Sequence, residues 1–234
     1  FNKTEYLDIN KQKIIDETYE LLKEILISGN SNRKKTHKIF SKKIYYLIKN
    51  KKLLNFFQKS FIQQMFFIHN RIYLLKYLLE MRNSKNWNFW KKIIKESSVG
   101  NPIRYFLYPN SSGNKIFQAY HLKKYNEFNK INLRDFDEIV EFGGGYGNMA
   151  STFNQINPKI KYTIFDTYEV NLLQYYYLKR LNLNVNFNNL KKNSGNINLI
   201  NSIKILKKKI SNIKKNNNNL FIANWSLSET PLNF

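Results

Sequence analysis

No cysteine occurs anywhere in the chain, which excludes disulfide bridges, thiolate metal ligands and a cysteine nucleophile. That absence suits a reducing compartment, and a cytoplasmic location is the expectation. Long apolar runs are missing too. No window reaches the roughly 18 uncharged apolar residues of a membrane helix, and the richest stretch, Phe61 to Leu79, is broken by His69, Arg71 and Lys76. No transmembrane segment is expected, and no charged-then-apolar leader stands at the start. Histidine is confined to His37, His69 and His121, and no His or carboxylate cluster has metal-ligand spacing, so no metal site is expected. Acid is scarce as well: 16 acidic residues face 39 basic ones, a formal net charge of +23.

Such a charge invites a nucleic-acid reading, because basic faces collect phosphate backbones. Its composition argues otherwise. Only six of the 39 basic residues are arginines, the usual choice for bidentate phosphate contacts, and the thirty-three lysines are mixed with Asn and Ile almost everywhere. From Asp135 to Val170 the sign reverses: six acids against two bases give −4, leaving +27 for the remainder. An acidic island predicts a ligand of positive character nearby.

At 234 residues the chain can bury a sizeable core. It opens on Phe1 rather than Met and stops just after an apolar run, so it reads as a fragment. Residues 1–97 read as a helical N-terminal domain or cap. Apolar positions Ile14, Ile15, Tyr19, Leu22, Ile25 and Leu26 recur at helical spacing, and Phe61, Met65, Ile68, Ile72, Leu75 and Leu79 mark one buried stripe on a later helix. Residues 98–134 read as a connector followed by a cofactor-covering helix, "NKIFQAYHLKKYNEF", capped by Ser111 or Ser112. From residue 135 onward short apolar runs, "DEIVEF", "KYTIFD", "LNVNF" and "NLFIANW", alternate with the helical segments "GNMASTFNQI", "YEVNLLQYYYLKRL" and "INLINSIKILKKKISNIKK". This alternation predicts an α/β fold with about four parallel strands joined by right-handed crossovers.

Four of the eight glycines fall within residues 143–147, directly after the first of these strands. Glycine there permits unusual backbone dihedrals and lets a ligand approach the main chain. A dinucleotide fingerprint starting at Gly143 fails at Asn148. One starting at Gly145 fits through Gly147 and Ala150 but leaves two extra glycines before it. The acid-x-Gly-x-Gly-x-Gly pattern of S-adenosylmethionine-dependent methyltransferases is met without a gap by Glu141, Gly143, Gly145 and Gly147. A carboxylate at this strand end attracts the ammonium and sulfonium of that cofactor and repels a pyrophosphate. Asp166 ends the next strand, twenty-five residues after Glu141, where an acid can accept hydrogen bonds from both ribose hydroxyls. Asn224 and Trp225 end the fourth apolar run and are candidates to line the cofactor site. Ser226, Ser228 and Glu229 have the pattern of a helix cap.

"IVEFGGGYGNMA", "YTIFDTYEVNLLQYYYL" and "NWSLSET", with "GNP" at Gly100 to Pro102, together resemble the bacterial sugar O-methyltransferases associated with surface-polysaccharide clusters. The resemblance implies a Rossmann-like methyltransferase sheet over residues 135–234, here C-terminally truncated. It also implies S-adenosylmethionine as cofactor and a sugar, nucleotide sugar or lipid-linked sugar as acceptor. A sugar hydroxyl is a weak nucleophile while protonated, so a general base is expected. His121, on the helix before the glycine strand, is the first candidate and Glu229 the second. Three other readings stay open: an RNA methyltransferase, favoured by the charge, an NAD-dependent sugar-modifying enzyme, and a non-catalytic binding protein.

Overall fold

In the computed structural model, residues 3–25, 35–66, 70–187, 196–213, 218–224 and 226 are described. Among the described residues five α-helices come first: α1 (Lys3–Ile25), α2 (Lys35–Lys49), α3 (Ser60–Met65), α4 (Leu74–Arg82) and α5 (Trp87–Ile93). Ile14, Ile15 and Leu22 of α1 are buried at helical spacing, as the periodicity predicts. The second stripe needs correction. Phe61 and Met65 lie in α3 and Leu75 and Leu79 in α4, Ile72 falls between the two helices, Ile68 lies outside the described residues, and Ile72 and Leu79 are 73% and 44% exposed. The buried row is Ile62, Leu74, Leu78 and Met81. Apolar residues sit side by side along this segment, so helical spacing fits either of two neighbouring rows, and packing selects one.

The connector is more ordered than its composition suggests. Strands β1 (Arg104–Tyr105) and β2 (Tyr108–Ser112) pair as an antiparallel hairpin. Helix α6 (Gly113–Asn129) follows at once, and of the two candidate caps it is Ser112 whose hydroxyl accepts from the Lys115 N–H (3.3 Å).

Strand β3 (Glu138–Phe142), α7 (Asn148–Ile156), β4 (Lys161–Phe165), α8 (Tyr168–Arg180), β5 (Val185–Phe187), β6 (Ile197–Ile200), α9 (Ile203–Ser211) and β7 (Asn219–Ile222) follow among the described residues. Among the described residues five strands form one sheet in the order β5-β6-β4-β3-β7, every pair parallel. The fold is therefore α/β, in an order compatible with a Rossmann-like arrangement. The expectation of about four strands misses β6, because "INLI" fits the start of a helix as well as a short buried strand. Ile197, Leu199 and Ile200 are wholly buried between neighbours on both sides, and the helix begins only at Ile203.

Both faces of the sheet are covered, as a parallel sheet requires. Ile139, Tyr162, Ile164, Ile197 and Leu199 point into a large core shared with α7, α8 and the N-terminal helices. Val140, Phe142, Phe165 and Ile200 point the other way, against Leu206 of α9. The helical region is bound to α8 directly: the Tyr168 hydroxyl donates to the Leu21 carbonyl (2.7 Å). Strand order reverses between β3 and β7, which places the crevice of the fold beyond the carboxyl ends of those two strands.

Candidate functional site

The glycine turn lies at that crevice. Gly143, Gly145 and Gly147 take φ values of +76°, +56° and +93°, a region that side-chain-bearing residues rarely enter. Gly143 still extends the sheet, its N–H donating to the Phe165 carbonyl (2.8 Å), before Gly147 N–H closes back on the Gly144 carbonyl (2.9 Å) and α7 begins. Gly144 is required for a different reason. A Cβ there would stand 2.6 Å from Ile164 Cγ2 and 2.9 Å from Glu141 Oε2, so the turn rests directly on the carboxyl group.

Tyr146 anchors the turn. Its buried ring meets Phe57, Phe66 and Tyr177 edge-on, with centroids 4.7, 5.7 and 5.3 Å away. The N-terminal helical region thus helps to hold the loop, and Phe66 also approaches to 3.5 Å from where a Gly145 Cβ would be. On the β7 side, Ser226 packs against Gly143 and its hydroxyl donates to the Phe142 carbonyl.

Two carboxyl groups meet beneath and beside this turn. Glu141 is 3% exposed, and its Oε2 accepts from the Tyr162 hydroxyl (2.8 Å). Burial pushes its pKa up to about 7, opposed by the Tyr162 bond and reinforced by the negative charge of Asp166. Asp166, partly exposed at the end of β4, accepts from the Thr167 N–H at Oδ1 (2.7 Å) and from Gln174 Nε2 at Oδ2 (3.1 Å). Burial raises it also to about 7, against the pull of Thr167, Gln174 and the N–H groups of Gly144 and Gly145. A cation brought against this pair would favour its ionised form; a polyphosphate would favour the protonated form.

Glu141, the three motif glycines and Asp166 are brought together. Asp137 and Glu138 are not. They lie at the opposite end of β3, where Asp137 Oδ2 accepts from Asn218 N–H (3.1 Å) and Glu138 pairs with Lys209. A shallow cleft of about 280 Å³ lined by Asp137, Glu138, Asn157, Lys159 and Lys161 opens at that end, away from the turn. Asn224 is exposed just past β7, while Trp225, Ser228 and Glu229 lie outside the described residues. The His121 ring packs on the seam of α4 and α6, with ring centroids of Phe117, Tyr120 and Tyr77 at 4.4, 5.6 and 6.1 Å. Burial lowers its pKa.

Two site residues escape sequence reasoning. Gln174 of α8 is wholly buried and bridges the loop to Asp166, donating to the Gly145 carbonyl (2.8 Å) as well. Tyr162 is the partner of Glu141. The available signal was a lone Gln on the apolar face of a helix, between Leu173 and Tyr177.

No known protein family, curated protein or solved structure gives a match to this chain.

Proposed function

We propose that the chain is an S-adenosylmethionine-dependent methyltransferase that methylates a sugar hydroxyl in surface-polysaccharide biosynthesis, built on a Rossmann-like methyltransferase sheet. One observation carries the reading: two carboxyl groups, Glu141 and Asp166, converge on a bare glycine turn at the switch point of a parallel sheet. The residues fit the cofactor, because no side chain of the turn's own stands between a ligand and the partly exposed backbone of Gly143 to Gly145, and the carboxyl pair suits a cation.

S-adenosylmethionine, when bound, supplies an electrophilic methyl group on a sulfonium. Glu141 contributes negative potential toward the cationic end. Asp166 accepts hydrogen bonds from the ribose hydroxyls and sets the orientation of the nucleoside. The turn, pinned by Tyr146 and Gln174, contributes position, which is most of what an in-line displacement demands of an enzyme. His121 stays the first candidate to accept the acceptor proton, since its lowered pKa keeps the imidazole neutral near pH 7. Glu229 is the second.

Calorimetry with S-adenosylhomocysteine tests the cofactor assignment. Binding is expected, and Asp166→Ala is expected to weaken it by about tenfold to a hundredfold, the loss of hydrogen bonds to a charged acceptor. Equal affinity in the variant rejects the ribose role, and NADH binding in place of the nucleoside rejects the class. Incubation with methyl-labelled cofactor and a panel of free, nucleotide-linked and lipid-linked sugars then identifies the acceptor. Label entering RNA instead selects the nucleic-acid reading.

A further inference from the structure

The hairpin of β1 and β2 carries unusual residues at its bend. Its strands close at Tyr105 and Tyr108, which leaves Phe106 and Leu107 as the two residues of the turn. Gly, Asn, Asp and Ser dominate such positions, where the backbone bends tightly and water surrounds it. Neither residue here fills the core: Phe106 is 53% exposed and Leu107 43%. Tyr105, just before them, is wholly buried, so the hairpin is anchored while the two side chains at its tip face outward.

A second exposed apolar pair stands beside the first. Asn70 clamps the bend, its Nδ2 donating to the Arg104 carbonyl (3.0 Å) and its Oδ1 accepting from the Phe106 N–H (3.1 Å). Two residues further along, which reach no more than about 7 Å, comes Ile72, 73% exposed, and then Tyr73, 47% exposed, at the entry to α4. Two adjoining turns therefore present one apolar patch, and a patch of this kind rimmed by polar groups marks an interaction site. The rim is basic. No acid occurs between Glu24 and Glu80, a span that holds twelve basic residues, and two of these, Arg71 and Lys76, are exposed on either side of Ile72 and Tyr73. Glu80 itself is engaged by Lys124 and by the Tyr120 hydroxyl.

We propose that these two turns dock the protein on an anionic lipid surface. Phe106, Leu107 and Ile72 enter the boundary between headgroups and acyl chains, Tyr73 keeps its hydroxyl at the wet side of that boundary, and Arg71 and Lys76 meet lipid phosphates. Apolar insertion and basic attraction are the two signals that surface-bound proteins combine. Among the described residues no helix is long and apolar enough to cross a membrane, so the contact is with one leaflet. A small molecule would call for a hollow rather than the tip of a hairpin. RNA would use the two bases, but Ile72 and Leu107 offer nothing to a phosphate backbone or to base stacking. Such docking does not depend on what the glycine turn binds.

Sedimentation with vesicles tests it, using phosphatidylcholine alone and phosphatidylcholine mixed with roughly one-third phosphatidylglycerol. A chain of +23 is drawn to any anionic surface, so the deciding measurement is made in about 0.5 M salt, where exposed charges are largely screened. At low salt the wild-type protein should bind the mixed vesicles at least about tenfold more tightly than the neutral ones, and part of that binding should persist in high salt. Phe106→Ser combined with Leu107→Ser should weaken low-salt binding by at least about tenfold and abolish the salt-resistant part, with the melting temperature unchanged. Arg71→Glu combined with Lys76→Glu should weaken low-salt binding alone. Wild-type binding that vanishes in high salt overturns the proposal without recourse to any variant, and so does equal binding after the two serine substitutions. Self-association or RNA binding that those substitutions abolish, without vesicle binding by the wild type, assigns the patch to a second copy of the chain or to nucleic acid and overturns the lipid assignment.

Discussion

Glu141 is expensive where it sits. Its pKa of about 7, against an ordinary 4.5, means that the folded chain holds a proton there more tightly than the unfolded chain does. Stability therefore falls as pH rises from about 4.5 to about 7 and levels off above, by on the order of 3 kcal/mol from this group. Glu141→Gln keeps an acceptor for the Tyr162 hydroxyl and abolishes the ionisation. We expect the variant to melt higher than wild type at pH 8, by an amount worth about 1–3 kcal/mol, and at the same temperature at pH 4. Its affinity for S-adenosylhomocysteine should drop sharply, the pattern of a site that trades stability for binding. In the wild type that affinity should rise between about pH 6 and pH 8 as the pair ionises. A variant no more stable at pH 8 would show that the carboxyl is not held in a low-polarity environment. At this scale the sequence was informative wherever a residue type had few other uses: an acid behind a run of glycines, an acid at the next strand end. Tyr162 and Gln174 were illegible because one polar atom on an apolar face has no periodic signature.

Elements were legible to the extent that their apolar pattern was unambiguous. Strands β3, β4, β5 and β7 and helices α7 and α8 fall where alternation placed them. Strand β6 did not, since four residues of "INLI" fit either a short buried strand or a helix start, and only pairing with β4 and β5 decides. The hairpin of β1 and β2 was hidden by its Pro and Ser content, and the stripe of the third helical segment by adjacent apolar rows. Helix α8 is the element on which the turn depends. It lies between the helical region and the sheet, and through Gln174 it holds both the Gly145 carbonyl and Asp166. Gln174→Leu keeps the bulk and removes both donors, so the helix should remain while the turn loosens. We expect amide exchange at Gly144 to Gly147 to speed by at least about tenfold, with circular dichroism unchanged, from the loss of roughly 1–2 kcal/mol of buried hydrogen bonding. Unchanged exchange at those amides would mean that Tyr146 alone fixes the loop.

One shared core joins the helical region to the sheet. Residues 1–97 are expected as a helical N-terminal domain or cap, which leaves open whether they and the sheet are separable. The packing argues that they are not: Ile14, Ile15, Leu22, Ile44, Ile48 and Phe56 belong to the same buried cluster as Ile139, Tyr162 and Tyr176. The Phe56 ring stands edge-on to Tyr176 and Tyr177, with centroids 6.2 Å away in each case. Gly100 is kept bare by the same ring, since a Cβ there would come within 2.2 Å of it. Without the N-terminal helices, α8 would expose the wholly buried Leu172, Tyr176 and Tyr177, and Tyr146 would lose Phe57 and Phe66. Each such side chain contributes about 1.5–3 kcal/mol by its burial, so losing several exceeds the marginal stability of an ordinary domain. Scanning calorimetry should accordingly show one transition, with calorimetric and van't Hoff enthalpies equal. Addition of S-adenosylhomocysteine should raise that single melting temperature, since a ligand held only by the folded chain stabilises every part that unfolds with it. Two transitions, of which the nucleoside moves only one, would show instead that the helices and the sheet fold as independent units and that the aromatic contacts between them contribute little.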